Sequence, residues 1–255
     1  MRASATTTRV VAIVGGLAVW AAFTAVNARA GFVNPVLLPT PLEVGRVALD
    51  LAASGELLRH CLTSLGRVAQ GFGLAAVAAL ALGVLVGLCV PLRHMAEPVV
   101  EFVRPIPPLA FLPMFLVWFG LGETSKVAFI GYTTFFPMFI AIAASMLRID
   151  VVLVRAAASL GATRADLVRR VMLPAALPGI VVALRVGIGL ALFVIVGAEF
   201  RGADAGLGHL IMEGRTFFNP AQIVMGALLL GLLGSLINTL LLAAERRLLG
   251  VRAAA

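Results

Sequence analysis

The sequence predicts an all-α integral membrane protein of six transmembrane helices with one polar cytoplasmic loop between the fourth and fifth. Three observations predict it. Of 255 residues, 61% are hydrophobic and only 13% charged, against about 25% charge in a soluble domain. The mean hydropathy is +1.07. Six apolar stretches qualify or nearly qualify as spans of about 20 residues, and a single long segment between the fourth and fifth breaks the pattern with four arginines and an aspartate.

The spans are expected near Val10–Val26, Val68–Val90, Leu109–Leu121, Val127–Leu147, Leu177–Val196 and Ile223–Ala243. The third is short alone, but the apolar PIPPLAF upstream extends it. The chain then divides into a cytoplasmic N-terminus (1–9), a first helix (10–26), an external loop (27–66), a five-helix core (67–247) containing the polar loop (148–176), and a cytoplasmic tail (248–255). Arg2, Arg9, an apolar run and ARA before Gly31 also suit a signal peptide. The run exceeds the usual length of such a region, so a retained helix is expected.

Lysine and arginine near span ends stay on the cytoplasmic side. With the N-terminus inside, that side holds twelve arginines: Arg2, Arg9, Arg93, Arg104, Arg148, Arg155, Arg164, Arg169, Arg170, Arg246, Arg247 and Arg252. The outside holds six cations: Arg29, Arg46, Arg59, Lys126, Arg201 and Arg215. Arg67 falls at a span edge and Arg185 within a span. Both termini are therefore expected on the cytoplasmic side. The net charge of +8 follows from this bias and from anionic lipid headgroups, with no nucleic acid required. Cys61, Cys89, His60, His94 and His209 show no metal-ligand spacing.

The polar segment, VRAAASLGATRADLVRRVMLPAALP (154–178), reads as two short helices around a sharp corner. Asp150 caps the first, and Gly161 suits the left-handed position that ends it. Thr163 and Asp166 stand in the relation of a capping box that opens the second. Pro174 and Pro178 are expected to close it before the fifth span. Leu153, Ala156, Ala157 and Leu160 recur at helical spacing as a small apolar face. Solvent has no use for such a face; a partner surface does.

This segment resembles the cytoplasmic loop of ATP-binding-cassette import permeases, whose pattern is E-A-A, three residues, G, nine residues, I-x-L-P. Ala156 and Ala157 match the alanines, Gly161 the glycine, and Val171, Leu173 and Pro174 the close. The resemblance implies that Leu153, Arg155, Ala156, Ala157, Leu160, Gly161, Ala162, Thr163, Leu173 and Pro174 form the surface that docks on an ATPase subunit. Arg155 stands where the family has an acidic residue, so an ion pair of that sign cannot form. FVRPIPPLAFLPMFLVWFGLGETSK (102–126), SLGRVAQGF and GAEFRGADAGLGHLI resemble the permeases for nitrate, taurine and alkanesulfonates, with a lean toward the taurine branch in RAAASLGA and GETSK. The subfamily also serves other small organic solutes, such as aromatic carboxylates or pyrimidine-like compounds.

The resemblance implies a type I importer. Two copies of the chain would pair with two cytoplasmic ATPases and a periplasmic or lipid-anchored binding protein, importing a small anionic or zwitterionic solute by alternating access. No cofactor is expected on this chain; ATP and magnesium belong to the ATPase. GLGETSKV (120–127) is the nearest approach to a phosphate-binding loop, but Ser125 replaces the required glycine and Val127 the required hydroxyl residue. A self-sufficient secondary transporter is the rival class, but the halves show no convincing repeat. A membrane enzyme lacks paired carboxylates or a nucleophile motif within the spans.

Four residues are candidates for the translocation pathway. Arg185 either snorkels to the cytoplasmic interface or faces the pore, where it would favour an anion. Glu199, near the outer end of the fifth span, suits a pair with Arg201 or a neighbouring segment at an outer gate. Pro108 belongs to a proline-rich span that suits a cavity lining. Trp118 is an interfacial anchor or a pathway residue. Gly83 with Gly87, and Gly187 with Ala191, permit close helix approach within one subunit or across a dimer. The loop at Gly206-Leu207-Gly208 suits a binding-protein contact, a gate or an ordinary re-entrant turn.

Overall fold

The computed structural model describes residues 2–249. Arg252 and residues 250–255 of the expected tail lie outside the described residues, as do the side chains of Arg2, Arg9, Arg246 and Arg247. The described residues form helices joined by turns, without a strand. They form two compact units: one runs up to Thr63 and includes Asp204–Gly231, the other holds Ser64–Ala203 and the residues from Leu232 on.

In the first unit, helix α1 (Arg2–Ala30) carries the first expected span and keeps ARA in its last turn. Gly31, at φ +66°, ends it. The Asn27 side chain then closes the turn, donating to Val33 O and accepting from Val33 N, each at 2.8 Å. Residues 27–66, expected as a loop, hold a 3-10 turn (Pro35–Leu37), helix α2 (Pro41–Ala53) and the start of α3 (Glu56–Leu88). The reason is local. Thr40 and Glu43 form a capping box, Thr40 N donating to Glu43 Oε2 at 2.7 Å and Glu43 N to Thr40 Oγ1 at 3.2 Å, with Pro41 at the first position. Val44 then buries against Leu210, Ala221 and Met225, contributed by α10 (Leu207–Thr216) and α11 (Pro220–Leu249).

The second unit is built on α3, α6 (Glu123–Leu147) and α9 (Leu173–Glu199). Its core gathers Ala75 and Ala79 with Met138, Ile142 and Met146, and with Ala176, Ile180 and Ala183. The glycines lie in these contacts, within one chain. A Cβ at Gly83 would stand 2.8 Å from Ile142 Cγ2, one at Gly87 would overlap Met146, and one at Gly187 would overlap Met138.

The third expected span, Leu109–Leu121 with its upstream extension, is a 3-10 turn (Pro108–Phe111) and α5 (Leu112–Phe119). A helix the sequence did not suggest, α4 (Val90–Val103), precedes it, and the two parts meet at an 83° bend. Pro105, Pro107 and Pro108 cannot donate backbone hydrogen bonds, so the helix breaks where they cluster. The fifth span differs in the opposite sense. Pro174 and Pro178 do not close a helix; Arg164–Glu199 is continuous for 36 residues. A wide π-type turn over Leu167–Met172, with Leu173 N reaching Val168 O, opens the coil ahead of Pro174. That relieves the clash a proline ring makes with the preceding turn.

Among the described residues, four helices are long and apolar enough to cross a membrane: Glu56–Leu88, Glu123–Leu147, Arg164–Glu199 and Pro220–Glu245. The bent pair makes five if it is one span. Six spans were expected, and α1 is not among these.

Candidate functional site

The polar segment begins at Asp150, whose carboxylate accepts from Val152 N at 2.8 Å and opens α7 (Val151–Ser159). At the other end Gly161 N reaches Ala158 O at 3.0 Å and Ala162 N reaches Ala157 O at 3.2 Å. That second bond spans five residues and requires the left-handed backbone at Gly161, φ +86°. Thr163 and Asp166 form the expected capping box at the start of the short α8 (Arg164–Asp166), and Arg170 pairs with Asp166 at 3.2 Å. The corner is thus fixed by backbone and caps, with nothing within 4 Å of a Cβ at Gly161.

This corner presents the apolar face outward. Leu153 is 48% exposed and Leu160 is 88% exposed; Arg155 and Ala156 are exposed, and Ala157 and Ala162 half-buried. A leucine so exposed on an ordered helix end loses the transfer free energy of burial, roughly 1.5–3 kcal/mol, until something covers it. Pro174 is exposed too, whereas Leu173 packs against the core.

At the far end of the same helix lies a buried ionic cluster. Glu199, 1% exposed, accepts the Ser64 hydroxyl at 2.8 Å and Arg67 Nη1 at 2.7 Å. Arg67, 4% exposed, also holds Glu123 through Nε and Nη2, both at 2.6 Å. Its planar fork suits two carboxylates where an ammonium would not. Lys126, 2% exposed, donates to Leu121 O at 2.9 Å, Gly122 O at 3.2 Å and Gly202 O at 2.7 Å, with Glu123 3.6 Å away. The ends of α3, α6 and α9 are tied together by two cations and two carboxylates, which leave no net charge.

Of the four pathway candidates, Glu199 joins this cluster, paired to a neighbouring segment through Arg67. Arg185 pairs with Glu245 of α11 at 3.0 Å, in a partly exposed site. Trp118 is 61% exposed, its ring 6.0 Å from Phe115. Pro108 lines a cavity at the α4–α5 break. From the sequence Arg67 is a span-edge charge and Lys126 one of the external cations; neither they nor Ser64 and Glu123 are among the pathway candidates. The available signal was an arginine facing two acids from other segments, each at an apolar boundary.

Gly206-Leu207-Gly208 is not an open loop. Gly206, at φ +128°, precedes α10, Leu207 is fully buried, and Gly206 N donates to His60 Nδ1 at 2.9 Å. His60 is itself buried and stacks on His209 with centroids 5.9 Å apart. Among the described residues no group of three or more His, Cys, Asp or Glu side chains is placed to hold a metal.

Residues 71–249 match the family described as binding-protein-dependent transport system inner membrane component. The chain is 34% identical over 221 residues to the taurine transport system permease protein TauC of Escherichia coli (strain K12), covering 85% of this chain and 80% of that one. It is 33% identical over 219 residues to the putative aliphatic sulfonates transport permease protein SsuC of Bacillus subtilis (strain 168), covering 86% and 79%. Among solved structures, a chain of the MetNI methionine ABC transporter in an inward-facing conformation superposes with a TM-score of 0.67 at 24% identity, over 75% of this chain and 95% of that one.

Proposed function

Since this chain belongs to the binding-protein-dependent transport system inner membrane component family, it is a multi-pass permease subunit of an ATP-binding-cassette importer, and we propose that it carries a small anionic or zwitterionic solute of the taurine, sulfonate or nitrate type into the cytoplasm. Two copies form the pathway. Each docks one ATPase, which binds ATP and magnesium, and a binding protein delivers solute from outside. Both termini are cytoplasmic, α1 is retained as the sixth span, and residues 151–174 are the docking element. The chain is a transport component, not an enzyme.

The observation that carries this reading is the exposed face of Leu153, Ala156 and Leu160 on a corner locked by Gly161, joined without interruption to Arg164–Glu199. A rigid corner transmits displacement; a solvated loop absorbs it. Thirty-six residues at 1.5 Å each make a rod of about 54 Å, so movement of the docked ATPase reaches the buried cluster at Glu199 directly. The substrate class is supported by the named solutes of the two relatives. Differential affinity of ATP for the closed ATPase pair supplies the bias between inward-open and outward-open states.

The test is co-purification with the cognate ATPase of the wild type, Gly161→Trp and Ala157→Glu. Each variant is expected to release the ATPase while the permease remains folded by gel filtration. Equal ATPase recovery from all three would sink the docking assignment.

A further inference from the structure

Resting on the importer reading above, we propose that the broken third span carries a solute site of its own, in which Arg104 holds an oxyanion and Tyr132 faces the rest of a small zwitterion. The break and α6 line a partly open cavity of about 210 Å³. Arg104, Ile106 and Pro108 line it from the break, and Tyr132, Thr133 and Pro137 from α6. Drug-sized ligands occupy pockets of about 300–1,000 Å³, so this one admits only a smaller solute.

Its position is that of a transport site. Tyr132 is nine residues from the start of α6 at Glu123, about 14 Å, and Ile140, at the cavity's other edge, is seven from the end at Leu147, about 10 Å. The cavity therefore lies at mid-helix, where the partner helix is interrupted. Irregular backbone at membrane depth is tolerated only where it is buried in protein or lines a cavity, and in secondary transporters broken helices at mid-depth hold the substrate.

The chemistry of the lining is selective. Arg104 is an exposed residue of the cavity lining and has no carboxylate partner among the described residues. It is unlike Arg67 and Arg185, whose charges are already met. An unpaired guanidinium beside apolar walls attracts a sulfonate or carboxylate, which it can grip with two parallel hydrogen bonds. The Tyr132 hydroxyl likewise makes no hydrogen bond among the described residues, while its ring is held by Phe111, Phe115 and Phe136 at centroid distances of 5.5, 5.4 and 5.7 Å. Pro137, inside α6, cannot donate the helical bond that the Thr133 carbonyl would otherwise accept. A hydroxyl, a carbonyl and aromatic faces suit an ammonium group. The occupant is thus a short organic sulfonate or carboxylate, bound best when it also carries an amine.

The experiment uses the complete transporter, with its ATPase and binding protein, in proteoliposomes. Uptake of taurine and of ethanesulfonate, which lacks the amine, is measured alongside ATP hydrolysis stimulated by loaded binding protein. Arg104→Gln is expected to lower uptake of both about tenfold or more, the scale of one charge-assisted hydrogen-bond pair, with stimulated ATP hydrolysis within about twofold of wild type. Arg104→Lys should recover part of the uptake. Tyr132→Leu should reduce taurine uptake more than ethanesulfonate uptake. If Arg104→Gln transports both as wild type does, or loses hydrolysis in step with uptake, the site is overturned and the importer reading stands. If wild type shows no stimulated hydrolysis with its ATPase and binding protein, the importer reading itself fails. If wild type hydrolyses ATP but moves neither compound, the substrate class assigned to the cavity is wrong.

Discussion

Arg67→Leu is the sharpest probe of the buried cluster. The Glu199 side chain is fully buried and Arg67 is 4% exposed, so removing the guanidinium takes the opposite charge away from a buried carboxylate. Breaking a buried pair from one side costs about 3–5 kcal/mol. For a domain of 150–250 residues each kcal/mol moves the midpoint by about 2–4 °C. The expected loss is therefore about 6–20 °C, read from tryptophan fluorescence during heating in detergent. Replacing both partners, Arg67→Leu with Glu199→Leu, should recover more than half of it. Glu123, whose side chain is 63% exposed, then remains hydrated near Lys126, and Ser64 can turn to a carbonyl of its own helix. A single variant within about 2 °C of wild type, or a double variant no more stable than the single, would refute the claim that an uncompensated buried charge dominates.

Two further outcomes follow from close contacts and caps. Gly87→Leu should destabilise by about 1–3 kcal/mol, because its Cβ position is already occupied by Met146; Gly45→Ala, in the open interior of α2, should instead stabilise by about 0.5–1 kcal/mol, and paired thermal scans compare the two. Thr163→Ala removes the cap of the segment that enters Arg164–Glu199 and should cost about 1 kcal/mol locally, seen as roughly fivefold faster amide exchange over residues 164–167 without a change in the global midpoint.

What the sequence disclosed was whatever is encoded within a few residues. Asp150, Gly161 and the Thr163–Asp166 pair set local hydrogen bonds, so the corner was legible before any fold was known. Helix α2 was equally local, but its capping box lay in a stretch of low hydropathy where no span was sought. Pro174 misled for a different reason: a proline usually ends a helix, and only the wide turn upstream allows this one to continue. The cluster could not be read at all from spacing, since Arg67 meets partners 56 and 132 positions away. Averaging hydropathy along a span hides charges that neutralise one another across spans. Arg104 was counted with the cytoplasmic charges by its place in the chain, yet it stands beside mid-α6 because three prolines bend the path there.

The wide turn at Leu167–Met172 has a consequence for how residue number encodes direction. In an α-helix each residue advances the side-chain azimuth by about 100° and the axis by about 1.5 Å. A turn closed by a bond from Leu173 back to Val168 holds one residue more than the regular coil. Deleting a single residue between 167 and 172 would restore the regular turn and, with it, the clash of the Pro174 ring that the wide turn relieves. The extra residue is held within one revolution, so the coils on either side stay nearly in phase; it is the kink returned at Pro174 that would redirect Leu153, Ala156 and Leu160. The direction in which the Gly161 corner faces is thus set by one residue in the turn ahead of Pro174, and a change of length by that one residue would be enough to re-aim it.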